Sequence, residues 1–162
     1  MAGAATPALA VLVAAGVPHE VVKFDHDPRQ RSFGVEAVHA LTKAGGIAAE
    51  QIYKTLIIAV PDGLAVAILP ASSKLSLKAA AAALSVTKAS MAEPAAAQRV
   101  TGYVVGAVSP FGQRAPLPTV VDSGALSWDR VYVSAGRRGW DVAVAPGDLV
   151  RLTRALTAGI QA

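Results

Sequence analysis

Cysteine is absent from this chain of 162 residues. Its absence excludes disulfide bonds, thiolate-ligated metals and a catalytic thiol of the protein itself. Aromatic residues are also scarce, at 5% of the chain, whereas hydrophobic residues of all kinds make up 53%. Because most of these hydrophobic residues are alanine and valine, the composition predicts a core that is closely packed from small side chains.

Long apolar runs are missing as well. The stretch ALAVLVAAG at 8–16 resembles the apolar part of a signal peptide, but the positive residues that should precede it are absent. Thr6 and Pro7 are instead typical of a helix start and Gly16 of a helix end, so we expect a helix at 7–15. No other apolar run reaches the ~20 residues of a membrane span. We therefore expect a soluble, cytoplasmic protein without a membrane partner.

The net charge is a weak guide to partners. Fifteen Lys and Arg against eleven Asp and Glu give a formal charge of +4. This surplus is compatible with an anionic partner such as RNA, but many small domains carry as much charge without contacting nucleic acid. The glycine-rich phosphate-binding fingerprints of nucleotide-binding folds are absent from the sequence.

Helices and strands are predicted to interleave without a regular β-α-β rhythm. Strands are expected at 17–24, 53–60, 64–70, 118–122, 131–134 and 141–144, with short ones at 86–89 and 103–105. Helices are expected at 7–15, 34–44, 77–84, 94–100 and 146–156. The pattern predicts a single α+β domain over 1–162, with a mixed, mostly antiparallel, barrel-like sheet surrounded by helices.

Lys54 stands out in the apolar stretch QIYKTLIIAV at 51–60. In a strand, Lys54 shares a face with Leu56 and Ile58. A buried ammonium needs partners, because desolvating an unpaired charge costs several kcal/mol. The alternative is a lysine at the strand end, with its stem on apolar surface and its ammonium in water. The pattern alone leaves both readings open.

A metal site is not expected. Asp25, His26 and Asp27 alternate in a way that could ligate a metal, but two further ligands would have to come from elsewhere. A turn fixed by Asp and by Pro28 is the better interpretation. We expect neither a metal nor another cofactor.

Two loops have the composition of binding sites. In the loop at 102–112, Gly106 and Pro110 would allow a substrate to approach the backbone, whose N–H groups stabilise oxyanions. The alternative is a loop that is merely tight. In SAGRRG at 134–139, backbone N–H groups and guanidiniums could face a phosphate. The alternative is a hairpin with exposed arginines.

These stretches together resemble a known family. The motifs follow one another over about residues 6–156: FDHDP, SFG, QIYKTLIIAV, LPASSKLSLKAAAAAL, MAEPAAAQRVTGYVVGAVSPFGQ, LPTVVD and VYVSAGRRG. In this order they resemble the YbaK family of bacterial editing domains, which is related to the insertion domain of prolyl-tRNA synthetase. The resemblance implies an α+β fold and hydrolysis of mischarged aminoacyl-tRNA in trans. The members closest to these motifs are Cys-tRNA(Pro) deacylases, and the resemblance implies prolyl-tRNA synthetase as a partner.

The resemblance also implies roles for individual residues. The catalytic candidates are Lys54, which matches the essential lysine, and Gly106. The substrate-binding candidates are Phe33, Pro110, Ser134 and Asp141. Candidates for contacts to the tRNA backbone are Lys74, Arg137 and Arg138. Phe24 departs from the family, because many relatives have a tyrosine there, and the role of that hydroxyl cannot be transferred.

The implied chemistry needs no protein nucleophile. An aminoacyl ester is already activated, so orientation and oxyanion donors suffice. In cysteine-specific members the substrate's own thiol is implied to attack its carbonyl and to release a cyclic thiolactone. Two alternatives stay open: a deacylase of the same superfamily acting on Ala-tRNA or Ser-tRNA, and a non-catalytic module that binds tRNA or a synthetase.

Overall fold

The computed structural model describes residues 6–27, 29, 33–43 and 45–162. The α-helices in these ranges are α1 (Pro7–Ala15), α2 (Phe33–Lys43), α3 (Leu77–Ala83), α4 (Pro94–Thr101) and α5 (Pro146–Thr153). The strands are β1 (His19–Lys23), β2 (Tyr53–Val60), β3 (Gly63–Pro70), β4 (Ser90–Met91), β5 (Thr119–Asp122), β6 (Val131–Arg137), β7 (Trp140–Val144) and β8 (Leu156–Ala158). None of these helices has the length and apolarity to cross a membrane.

The strands form two sheets. One has five strands in the order β4-β2-β3-β5-β8, and the other has three in the order β1-β7-β6. The pairs β3–β5 and β5–β8 are parallel, and the other pairs are antiparallel. A parallel bridge between Ile52 and Tyr132 joins the sheets. The predicted single-domain α+β class with a mixed, mostly antiparallel sheet is confirmed, although the two sheets do not close into a barrel.

The central hairpin explains why the sequence of β2 is apolar on both faces. β2 pairs with β3 along its whole length, from Tyr53 opposite Pro70 to Val60 opposite Gly63. Tyr53 and Ile57 pack into the main core, whereas Ile58 packs into a second core against α3. By strand alternation, Lys54 lies on the same face of β2 as Ile58. The sheet is therefore buried on both faces, and a charge on it needs a partner.

Helix ends follow their capping residues. Thr6 Oγ1 accepts a hydrogen bond from Leu9 N at 3.2 Å, and Gly16 ends α1 with φ +67°. Ser76 caps α3 in the same way, since its Oγ accepts from Ala79 N at 3.0 Å. Both helices begin at the predicted residue, because a hydroxyl that satisfies a free N–H fixes the helix start.

Three predicted elements were wrong. Residues 86–89 form no strand, and the short strand β4 follows them at Ser90–Met91. Residues 103–105 also form no strand, because the Tyr103 hydroxyl donates to the carbonyl of Phe111 and holds a folded loop. The closing helix ends at Thr153 rather than at 156, since Arg154 adopts a left-handed conformation with φ +54°. Leu156 then begins β8 beside β5.

Candidate active site

A cavity of about 350 Å³ opens beside the N-terminal half of β2. β4 pairs only with Ile58 and Ala59, so the edge of β2 before these residues is not covered by that strand. The last backbone hydrogen bond from the β4 segment to this edge runs from Ala92 N to Ile57 O, at 3.1 Å. The uncovered edge forms one wall of the cavity. The other walls come from the region between β1 and α2 (Phe24, His26 and residues 33–37) and from 91–97, 105–108 and 134–141.

Most of the predicted site residues line this one cavity. They are Phe33, Lys54, Gly106, Ser134, Arg137, Arg138 and Asp141. Pro110 and Lys74 are not among the lining residues. Pro110 lies half-buried further along the glycine loop, and Lys74 is exposed on the turn after β3. Segments more than 100 positions apart therefore meet at the place that the motifs indicate.

Lys54 has a partner inside the protein. Its ammonium donates a hydrogen bond to the backbone carbonyl of Ser73 at 2.6 Å. The side chain is half-buried, and burial lowers the pKa of the ammonium. The reading of a lysine that merely extends into water does not describe this geometry. Lys54 presents a fixed, partly desolvated cation at the cavity wall, where a negative group would be bound more strongly than in water.

Phe33 and Gly106 form a packed pair on another wall. Gly106 has φ +86°, and a Cβ added to it would lie 2.6 Å from ring atoms of Phe33. Arg138 lies over the same ring, with its guanidinium carbon 4.9 Å from the ring centroid. Its Nε and Nη2 donate to Val105 O at 3.0 and 2.7 Å. Arg138 thus fastens the glycine loop to the β6–β7 turn.

The turn after β1 is held by α2. His26 Nδ1 lies 2.7 Å from Glu36 Oε1, and Asp27 N donates to Glu36 Oε2 at 2.9 Å. His26 also stacks near Phe33, with 5.6 Å between ring centroids. Within the described ranges, no group of three or more His, Asp and Glu side chains is placed to hold a metal ion. Pro28 lies outside these ranges. The pairing of His26 with Glu36 could not be read from local sequence.

Ser134 and Asp141 face each other across the β6–β7 ladder. A register shift follows Ser134, where Gly136 has φ +94° and its N–H donates to Ser134 Oγ at 3.1 Å. This irregularity turns the end of β6 toward the cavity. Asp141 is buried, and burial raises the pKa of its carboxyl to about 7.

The raised pKa of Asp141 predicts a specific pH dependence of stability. The folded state holds the proton up to about pH 7, whereas the unfolded chain releases it near 3.8. Stability from this group is therefore complete below pH 3.8 and is lost as the pH rises to about 7. Asp141→Asn should melt higher than the wild type at pH 8 and lose this difference near pH 4, in thermal scans. A difference that grows toward acid pH would contradict the assignment.

A comparison with known families adds the decisive observation. The family model for "Aminoacyl-tRNA editing domain" matches residues 34–152. The chain belongs to the aminoacyl-tRNA editing domain family. The match spans the residues from α2 to α5 and so contains most of the cavity. The resemblance of the motifs to YbaK-type editing proteins is thereby confirmed.

Individual relatives agree with this family. The editing domain is 31% identical over 118 residues to the Enterococcus faecalis protein named "Putative Cys-tRNA(Pro)/Cys-tRNA(Cys) deacylase EbsC", covering 72% of each chain. Its fold is similar to that of a "putative trans-editing enzyme for prolyl tRNA synthetase", with TM-score 0.82, 23% identity and coverage of 96% and 95%. The "hypothetical protein APE2540" has TM-score 0.82, 24% identity and coverage of 96% and 99%.

Phe24 is an aromatic residue of the site that has no hydroxyl. Phe24 lines the cavity of this editing domain, and its backbone N–H donates to Gly139 O at 2.8 Å. The aromatic ring is thus available to the site, but a phenolic hydroxyl is not.

Thr55 is a cavity residue that the sequence analysis missed. It lines the cavity, and its hydroxyl oxygen is buried without a hydrogen-bond partner among the described residues. An unsatisfied buried hydroxyl costs about 1–3 kcal/mol. Such a group is uncommon in a folded protein, and at a site it is free to bond a ligand.

Thr55→Val should stabilise the editing domain. Valine keeps the branched shape and removes the unpaired hydroxyl, so we expect a gain of about 1 kcal/mol, or roughly 2–4 °C in melting temperature. Thr119→Val is the matched control, because the buried Thr119 hydroxyl donates to Leu117 O at 2.9 Å. The control should melt lower than the wild type. A lower melting temperature for Thr55→Val would show that its hydroxyl is satisfied.

Proposed function

We propose that this editing domain is a trans-acting deacylase that removes cysteine from mischarged Cys-tRNA(Pro). The observation that carries the proposal is the cavity in which the Lys54 ammonium and the Gly106 loop meet. The named function of the Enterococcus faecalis relative supports the choice of cysteine. Binding of a tRNA is consistent with the family, whose members edit aminoacyl-tRNA.

The chemistry fits the residues that are available. The aminoacyl ester is already activated, and the cavity offers a cation, the backbone of the Gly106 loop and polar groups at Ser134 and Asp141. In the proposed reaction the substrate thiol attacks its own carbonyl carbon. A C–S bond forms and the ester C–O bond breaks. The thiol proton goes to the released ribose hydroxyl, and the product is a cyclic thiolactone.

Lys54 is proposed to hold the terminal adenosine or its phosphate. The ammonium is partly desolvated and already bonded to a carbonyl, so its position is set before substrate arrives. A preset cation loses little freedom on binding, and it places the ester beside the Gly106 loop. Phe33, packed on Gly106, would then contact the aminoacyl or nucleoside portion.

Contacts to the tRNA backbone are proposed for exposed cations in and near the cavity. Arg137 is exposed and lies over Trp140, with its guanidinium carbon 4.9 Å from the ring. Lys74 is exposed on a neighbouring turn. Arg138 is a weaker candidate, because two of its N–H groups already bond Val105 O. Such contacts are electrostatic, so binding should weaken with added salt. Prolyl-tRNA synthetase is the proposed partner that supplies tRNA identity.

A panel of mischarged tRNAs tests the proposal. Purified protein should deacylate Cys-tRNA(Pro) faster than Ala-tRNA(Pro) or Ser-tRNA(Pro), and leave Pro-tRNA(Pro) intact. Mass spectrometry of the product should find the thiolactone rather than only free cysteine. Faster deacylation of the alanyl or seryl ester would show that the substrate is Ala-tRNA or Ser-tRNA instead. Binding without turnover of any ester would identify a non-catalytic module.

A further inference from the structure

The carbonyl that holds Lys54 is itself held by a chain of side chains. Lys54 Nζ donates to Ser73 O at 2.6 Å, and Ser73 Oγ donates to Gln161 Oε1 at 2.7 Å. Gln161 Nε2 donates to Asp122 Oδ2 at 2.9 Å. The path thus runs from the cavity wall to a carboxylate at the end of β5.

Asp122 gives this path a rigid end. Its side chain is buried, with 3% of the residue exposed, and Oδ1 accepts from Ile160 N at 2.9 Å. Oδ2 also accepts from Gly124 N at 3.1 Å. These backbone donors remain when Gln161 is changed, so the carboxylate does not become unpaired. Loss of the Gln161 amide should therefore not unfold the protein.

Residues 160–162 lie along the segment that follows β3. Ser76 N donates to Ile160 O and Ala162 N donates to Lys74 O, both at 2.8 Å, and Leu75 forms an antiparallel bridge with Gln161. The turn that carries the Ser73 carbonyl is thus fastened by residues 160–162. The family match ends at residue 152, so residues 160–162 lie outside it.

We propose that Gln161, although exposed, is a positioning residue that fixes the Ser73 carbonyl and, through it, the ammonium of Lys54. The inference rests on the proposed function of Lys54 in deacylation. A lysine side chain has four flexible carbons and three donors, so a single acceptor in a fixed place decides where the ammonium lies. Misplacement of a catalytic group by ~1 Å can cost 10²-fold in rate.

Gln161→Ala and Ser73→Ala test this path at two points. Ser73→Ala removes the hydroxyl that bonds Gln161 but keeps the carbonyl that accepts from Lys54. Gln51→Ala is the matched control, because Gln51 also bonds once through Oε1, to Ala48 N, and once through Nε2, to Arg130 O. The control breaks two comparable bonds with no link to Ser73.

Two readouts are taken on the full chain. Each of the two test variants should lower kcat/KM for Cys-tRNA(Pro) about tenfold, and the double variant no further, since both break one path. Labelling of Lys54 by acetic anhydride, followed by peptide mass spectrometry, should rise roughly threefold as the ammonium loses its fixed acceptor. Lys88, which is exposed in the fold and does not line the cavity, corrects for differences in reagent between preparations and should not change.

Each outcome decides between the alternatives. Unchanged labelling and turnover in both test variants would overturn the inference while leaving the deacylase intact. Equal losses in Gln51→Ala would show a general effect on stability and would also overturn it. A wild-type protein that deacylates none of the mischarged tRNAs would overturn the proposed function, and the role of Gln161 in it. If Gln161→Ala does not fold, Ser73→Ala alone decides.

Discussion

Lys54→Ala is expected to lower kcat/KM for Cys-tRNA(Pro) at least about 10²-fold, because it removes the ammonium that is held at the cavity wall. The fold should persist. The substitution removes a half-buried ammonium, whose desolvation is costly, and leaves one carbonyl, that of Ser73, without its donor. These effects oppose each other, so the melting temperature should change little. Deacylation assays and thermal scans on the same preparation check both parts.

Two further variants sharpen the Lys54 result. Lys54→Met keeps the apolar stem and removes the charge, so it should be as inactive as alanine if the charge matters. Lys88→Ala removes an exposed lysine elsewhere on the surface and should retain wild-type activity. Full activity in Lys54→Met would show that the reaction does not need the ammonium, whatever the alanine variant shows.

Gly106→Ala should have the second large effect, on both activity and stability. The left-handed conformation at φ +86° costs a non-glycine residue about 1–2 kcal/mol. The new Cβ would also lie 2.6 Å from the Phe33 ring, so the ring or the loop must move. We expect at least about a tenfold loss of kcat/KM, since a displaced loop changes the cavity wall beside the substrate.

Gly16→Ala separates strain from collision. Gly16 has φ +67°, and a Cβ there would meet nothing within 4 Å. This control should lose stability through backbone strain alone and keep its activity. In the Gly106→Ala background, Phe33→Ala should restore part of the lost melting temperature, because it removes the ring that collides. Additive losses in the double variant would show that the two residues do not press on each other.

Local sequence patterns predicted most of the helices and strands. Thr6, Gly16 and Ser76 set helix ends by bonds to neighbours in sequence, and such bonds are visible as short motifs. The composition of QIYKTLIIAV predicted strand β2 at its observed bounds. The short edge strands β4 and β8 were missed, because two or three residues carry no detectable period.

The hydrogen bonds that hold the site residues in place could not be predicted from local patterns. Ser73 and Gln161 are 88 positions apart, and neither residue type signals its partner. Glu36 meets His26 only because α2 folds back over the turn after β1. The motifs indicated which residues gather at the cavity, whereas the bonds that hold them depend on distances that only the folded chain defines.

The uncovered edge of β2 has a consequence for how selectivity can diversify. One wall of the cavity is the edge of a central strand whose register is fixed by eight pairs with β3. Amino-acid substitution does not remove main-chain groups, so the position of this wall relative to a bound ester stays the same. The opposing walls come from four separate segments, and each can change volume or polarity without shifting the sheet. Substrate choice can thus evolve while the reaction geometry is inherited.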